Sequence, residues 1–404
     1  MIINNTKKFK TVTISIRFKE EIKEENVALR ALLPAVMSSA TSLYNTRKKL
    51  NEALENLYGS GVSARTYILG KLSVLNVSLN IINPSYMEEG FFELSLKILN
   101  DLIFGHKMLP KKYFDLEKSL LLERLEELEN DKTYVALERL VKNMFKGERY
   151  AIRPNSTKED ISAITYEKLN EYYFNVVNNN DYDVVISGDI DSKTKEMISK
   201  YFVGRNNYNH NPIDDEPHYT NGVKRIVEQD DINQVKLNIG YNLPIDYKDD
   251  LYTAAVLFNA IFGGYSSSRL FMIVREKHSL CYSVRSSYDA YKGFLCVYAG
   301  VPKKKVNLAK KLINEQLKDL QTNLVSDEEL ERTKLYFIND LKELEDSQGR
   351  WMNNIYLQKL LNKESKREEK IKVINSVTKE DILTVARMVQ IDTVYMLEPE
   401  VKEW

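Results

Sequence analysis

The predicted order of strands and helices in this 404-residue chain occurs twice, offset by about 220 residues, and no other feature constrains the fold as much. The first half opens on an alternating strand, Thr11–Phe18, followed by helical segments at 24–39 and 47–57 and a Gly-Ser-Gly turn at Gly59–Gly61. Strands at 64–69 and 73–82, helices at 91–103 and 111–127, a helix at 166–177, the strand Asp183–Gly188 and a helix at 193–201 complete it. The second half restarts with the strand Gln234–Tyr241 and helices at 252–262 and 267–276. It continues with strands at 281–287 and 293–300, helices at 307–320, 326–344 and 379–389, and the strand Asp392–Leu397. Wording repeats as well as order: Thr157-Lys-Glu-Asp-Ile161 is echoed by Thr378-Lys-Glu-Asp-Ile382, and the charged helix around Glu117–Leu128 by Arg332–Leu344. A period this long means two homologous domains, because solenoid repeats run about 20–50 residues.

The fold class is therefore α/β (α+β), with two homologous domains, each a mixed, mainly antiparallel sheet packed with helices. The domains are placed at residues 1–204 and 223–404, joined by a linker at 205–222 inside the Asn-, Asp- and Pro-rich stretch Gly204–Asn221. Hydrophobic residues make up 43% of the chain, enough for two cores. Lys+Arg and Asp+Glu both number 58, so no basic excess argues for nucleic acid. No signal-like leader and no apolar run near the roughly 20 residues of a membrane span are visible. Cys281 and Cys296 are too few for a disulfide framework. Together these features place the chain in the cytoplasm, away from membranes.

Chemistry-bearing residues are sparse. The four histidines are His106, His210, His218 and His278, and none has a second histidine three or four residues away, as a helical metal site requires. His210 and His218, beside Asp214, Asp215 and Glu216, read as a solvated acidic loop, and His106 after Gly105 as a cap on helix carbonyls. Gly263-Gly264 lacks the further glycines and lysine of a phosphate loop and reads as a tight turn.

One segment stands out: Ser266-Ser-Ser-Arg-Leu-Phe-Met-Ile-Val-Arg-Glu-Lys-His-Ser-Leu-Cys-Tyr-Ser-Val284. It resembles the second-domain signature of the pitrilysin and mitochondrial-processing-peptidase (inverzincin) family, and the resemblance extends over essentially the whole chain. It implies two domains arranged as a half clamshell, and it implies that Arg275 and Tyr282 are the family's Arg/Tyr pair. Active members carry H-x-x-E-H on the first-domain helix, two histidines and a distant glutamate binding zinc while the inner glutamate activates water. The matching place here reads Ala31-Leu-Leu-Pro34-Ala35, so alanines stand where the histidines would be and proline where the base would be. At the distal ligand position the match is Arg124, with Glu123 adjacent. Methyl groups and a proline ring supply neither ligand nor base. The resemblance thus implies a subunit that binds no cofactor and works with a homologous H-x-x-E-H partner. The zinc would sit in that partner, peptide would be the substrate, and Arg275 and Tyr282 would act on it in trans. An inactive scaffold or a peptide-binding module is the alternative.

Overall fold

Two five-stranded sheets form from the two halves, with the same strand order. Strands β1 (Ile2–Asn5), β2 (Thr11–Glu21), β3 (Gly61–Leu69), β4 (Leu72–Ile82) and β5 (Asp181–Gly188) make the first, in the order β1-β5-β2-β4-β3. Strands β6 (Lys224–Asp230), β7 (Val235–Asn242), β8 (Val284–Asp289), β9 (Phe294–Val301) and β10 (Gln390–Pro399) make the second, in the order β6-β10-β7-β9-β8. Each sheet is antiparallel except for one parallel edge pair, β1 with β5 and β6 with β10. The computed structural model describes residues 1–152, 156–220 and 222–400; Asn221 of the expected linker and residues 401–404 of the expected second domain lie outside them.

The echoed Thr-Lys-Glu-Asp segments have one physical job. Each is a capping box: Thr157 and Thr378 accept a hydrogen bond from the backbone N–H of Asp160 and Asp381, and each aspartate accepts one back. The next residue, Ile161 or Ile382, is fully buried. The box sets where the helix starts, and the isoleucine sets which face turns inward.

The compact units do not follow the linear boundaries 1–204 and 223–404. One unit comprises residues 1–126, 154–212 and 344–364, the other 127–153, 213–343 and 365–404. Each sheet thus receives a helix from the other half of the sequence. In the first unit, Val12, Ile14, Ile16 and Phe18 of β2 are buried, while strand alternation turns Ser15, Arg17 and Lys19 to the opposite face. The Gln348–Leu361 helix covers that face: Arg17 lies 4.4 Å over the Tyr356 ring and donates to Asn353 Oδ1 (2.8 Å). Val185 packs there with Met352, Tyr356 and Leu360. In the second unit, the Lys132–Met144 helix plays the same part, with Ala136, Leu140 and Met144 against Phe294, Cys296, Tyr395 and Leu397. Gly240 makes room for it, since a Cβ there would lie 2.7 Å from Met144 Sδ.

The acidic stretch read as a solvated loop is instead partly buried, because it meets cations. Asp214 is 6% exposed. His218 places Nδ1 2.6 Å from Glu148 Oε1 and Nε2 3.2 Å from Asp392 Oδ2. Carboxylate oxygens accept hydrogen bonds, and the imidazolium form of the ring is the one that can donate from both nitrogens at once. Burial by itself would lower the His218 pKa; the hydrogen bonds to Asp392 and Glu148 outweigh it and raise it above the ordinary value. Stabilisation from a raised histidine is complete below the unfolded value of about 6.5 and is lost as pH rises through the folded value. Denaturant melts of wild type and His218→Gln should therefore differ most near pH 6 and converge as pH rises toward 9. A gap that widens with pH would contradict the doubly donating ring.

Candidate functional site

The signature segment divides into residues that hold it and residues it displays. Ser268, Leu270 and Val274 are buried. Arg269 forks onto Glu329 (Nε to Oε1 2.8 Å, Nη2 to Oε2 2.9 Å) and also pairs with Asp319, tying the segment to the Val306–Thr322 and Asp327–Leu344 helices. Gly263 is a packing position, not a phosphate loop: a Cβ would stand 2.7 Å from Ser286 Oγ and 2.8 Å from its backbone nitrogen.

The expected helices at 252–262 and 267–276 turn out differently. The first is α-helical only over Tyr252–Asn259 and continues as a π-helical turn, Ala260–Gly264; the second is π-helical over Phe271–Lys277. The wider turn is visible in the His278 N–H, which reaches back five residues to the Ile273 carbonyl (3.1 Å). Ser279 then takes a left-handed backbone (φ 48°) and reverses the chain. The reversal brings Arg275 and Tyr282 together, with the Arg275 Cζ 4.5 Å from the Phe271 ring centre and 5.6 Å from that of Tyr282. Sequence reading named these two residues; Phe271, the second ring beside the guanidinium, was missed, although its place four residues before Arg275 is the signal for a same-face neighbour. The Arg275 Nε lies 3.5 Å from Glu276 Oε1. Tyr282 is 83% exposed. Burial pushes the Cys281 thiol up, against the pull of the adjacent Arg275 charge.

The degenerate zinc positions lie in the first unit. Ala31 and Ala35 are partly buried and Pro34 is buried within the Glu24–Met37 helix. A proline inside a helix commonly breaks or kinks it, yet this helix runs unbroken to Met37. Proline cannot bond the Arg30 carbonyl four residues back, and the Thr66 hydroxyl of β3 donates to it instead (2.9 Å). Glu123 and Arg124 are exposed on the Lys111–Asn130 helix. The buried carboxylate there is Glu117, which pairs with Arg47. The Arg47 guanidinium also donates to Ser39 Oγ (2.7 Å), and Ser39 Oγ donates to the Ala35 carbonyl (2.7 Å). Arg47 and Ser39 were not anticipated, because nothing local links them to residue 117.

These residues do not fit zinc: no ligand atom stands at 31, 34 or 35, and the nearby carboxylate is already held by a guanidinium. Among the described residues, no three His, Cys, Asp or Glu side chains converge as a metal site. Ala31→His combined with Ala35→His should therefore retain far less than one equivalent of zinc after dialysis and cleave no peptide, since third ligand and base are still missing. Metal analysis giving one tightly held equivalent would refute this.

The other histidines are structural. His106 Nε2 meets the Met37 carbonyl (3.0 Å) at the end of the Glu24–Met37 helix, and burial lowers its pKa. His210 pairs with Asp181 (3.0 Å), and His278 is exposed. No helix among the described residues is long and apolar enough to cross a membrane.

Comparison with known proteins accords with this geometry. Residues 163–336 match the model of the peptidase M16 inactive domain. The chain is 32% identical to the "probable inactive metalloprotease YmfF" of Bacillus subtilis, over 98% of this chain and 95% of that protein. It is 24% identical to the "uncharacterized zinc protease YmxG" of the same organism, over 72% and 71% of the two chains. Among solved structures, a conserved protein from Enterococcus faecalis superposes with a TM-score of 0.91 at 29% identity, covering 100% of this chain and 96% of that one. A peptidase M16 inactive domain from Pseudomonas fluorescens superposes at 0.82 and 16% identity, again covering 100% and 96%. With alanine and proline standing where the zinc ligands and base would be, the chain belongs to the pitrilysin (M16) peptidase family as a member that lacks the zinc motif.

Proposed function

We propose that this chain is the non-catalytic subunit of a heterodimeric zinc metallopeptidase, supplying Arg275 and Tyr282 to peptide hydrolysis by a partner that carries H-x-x-E-H. One observation carries the reading: a guanidinium 5.6 Å from the ring centre of a tyrosine that is 83% exposed, in a chain whose H-x-x-E-H positions hold alanine and proline. A ring that buries so little contributes little to the fold, and its hydroxyl is open to whatever approaches the Arg275 side chain. The partner's zinc would supply the attacking water. The Tyr282 hydroxyl would donate to the scissile carbonyl oxygen as negative charge develops there, and Arg275 would hold the peptide backbone or the phenol in place. That one organism holds both a relative named inactive and a relative named zinc protease is consistent with two chain types. The cytoplasmic setting belongs to the same proposal, and the two free cysteines suit it.

The test is reconstitution. Native purification should bring down a homologous H-x-x-E-H chain, and mixing the two should produce cleavage of an unstructured peptide that neither performs alone. A chain that associates with no such partner, or leaves the partner's activity unchanged, would instead be an inactive scaffold or a peptide-binding module. Peptide capture with no cleavage in any pairing would favour the module.

A further inference from the structure

We propose that the surface around Arg275 and Tyr282 receives an extended peptide rich in Asp and Glu, so that this chain selects acidic peptides. The inference rests on reading the pair as a peptide site and adds the chemistry of what it takes. Arg275 and Lys277 close the π-helical turn, and Arg285 stands on β8 three residues after Tyr282. The Lys305 Nζ donates to the Ser279 carbonyl (3.1 Å) in the loop between them, which brings Lys304 and Lys305 to the same place. Lys277, Arg285, Lys304 and Lys305 are all exposed. Among the described residues, Arg275 alone of the five has a carboxylate at ion-pair distance, Glu276, and that contact is long at 3.5 Å. The whole chain is neutral, so this excess of positive charge is local.

Two further features say how a carboxylate would be held. The Arg275 Cζ lies 4.5 Å and 5.6 Å from the Phe271 and Tyr282 ring centres, and a guanidinium held beside two rings still carries N–H groups that can fork onto two carboxylate oxygens. Strand β8 is the outer strand of its sheet, bonded only to β9, and alternate residues Ser283, Arg285 and Ser287 are exposed. An extended segment laid along this edge gains backbone hydrogen bonds, and an acidic side chain on it meets Arg285. Exposed ion pairs are individually weak and screened by salt, so selectivity comes from several acting together.

The full-length chain should be titrated against fluorescent peptides of alternating Glu and Val, and against the same peptide with Gln for Glu. The Glu peptide should bind at least about tenfold more tightly at low salt, with the advantage shrinking as salt rises. Lys277→Glu combined with Arg285→Glu, both surface changes, should abolish that preference while leaving the melting temperature unchanged. Equal affinities for the two peptides, or a preference that survives the double reversal, would overturn the assignment. So would equal displacement of the Glu peptide by a single-stranded oligonucleotide, which would mark a phosphate site instead. If Tyr282→Phe lowers turnover of the reconstituted pair but acidic peptides gain nothing, the acidic preference alone falls. If acidic peptides bind selectively but Tyr282→Phe is silent in turnover, the catalytic role falls and the binding surface stands.

Discussion

Tyr282→Phe should lower kcat of the reconstituted enzyme by about a hundredfold, the effect of deleting one oxyanion donor worth roughly 3 kcal/mol. The substitution removes only the hydroxyl, so the ring over the Arg275 guanidinium is retained. At 83% exposure the residue has little packing to lose, which makes damage to the fold a poor explanation for any loss. A donor that strengthens as charge builds on the carbonyl oxygen acts in the transition state, so the loss should fall on kcat and leave KM nearly unchanged. Arg275→Lys retains the charge but not the planar group beside Phe271 and Tyr282, and it should impair turnover as well. Assembly of the pair must be measured separately, by titration of one chain into the other. If Tyr282→Phe and Arg275→Ala both assemble normally and stay within about twofold of wild-type kcat, roughly 0.4 kcal/mol, the pair has no part in the chemistry.

Lys292→Met should destabilise the second unit by about 3–5 kcal/mol, the usual cost of removing one partner from a buried ion pair. The Lys292 side chain is 1% exposed, with Nζ 2.9 Å from Glu148 Oε2 and 3.5 Å from Asp214 Oδ1. It also donates to the Glu216 carbonyl (2.7 Å). Asp214 Oδ2 is buried without a hydrogen-bond partner among the described residues, so the lysine charge is its main compensation. The ammonium further lies 5.6 Å from the Phe145 ring centre, beside the helix that crosses over from the first half. Methionine has a similar length and fills the space, which isolates the charge as the variable. Denaturant melts should show a lower midpoint, and adding Asp214→Asn to Lys292→Met should recover part of the loss. A change under about 1 kcal/mol would mean that water reaches these carboxylates.

The sequence by itself determined the two-domain repeat, most of the strands and long helices, and the signature segment that contains Arg275 and Tyr282. These features are written locally. Alternation marks β2 and β7, helical spacing marks 111–127, the second Thr-Lys-Glu-Asp segment precedes the helix read at 379–389, and the signature is one contiguous run. Ala31, Pro34 and Ala35 likewise exclude a zinc site from their side-chain chemistry alone. Tertiary structure decided what depends on distant partners. The Lys132–Met144 and Gln348–Leu361 helices escaped sequence reading, and each packs on the sheet built by the other half of the chain. The edge strands β1 and β6 were missed for the same reason, since each pairs in parallel with a strand more than 160 residues away. Pro34 stays helical because a threonine on β3 takes over the orphaned carbonyl. His218, Asp214 and Lys292 are buried because opposite charges from separate segments meet there, and Glu117 is bound to Arg47 across 70 residues of chain. Periodicity and local propensity report which face of a segment turns inward, whereas the identity of what covers that face is set only when remote segments pack.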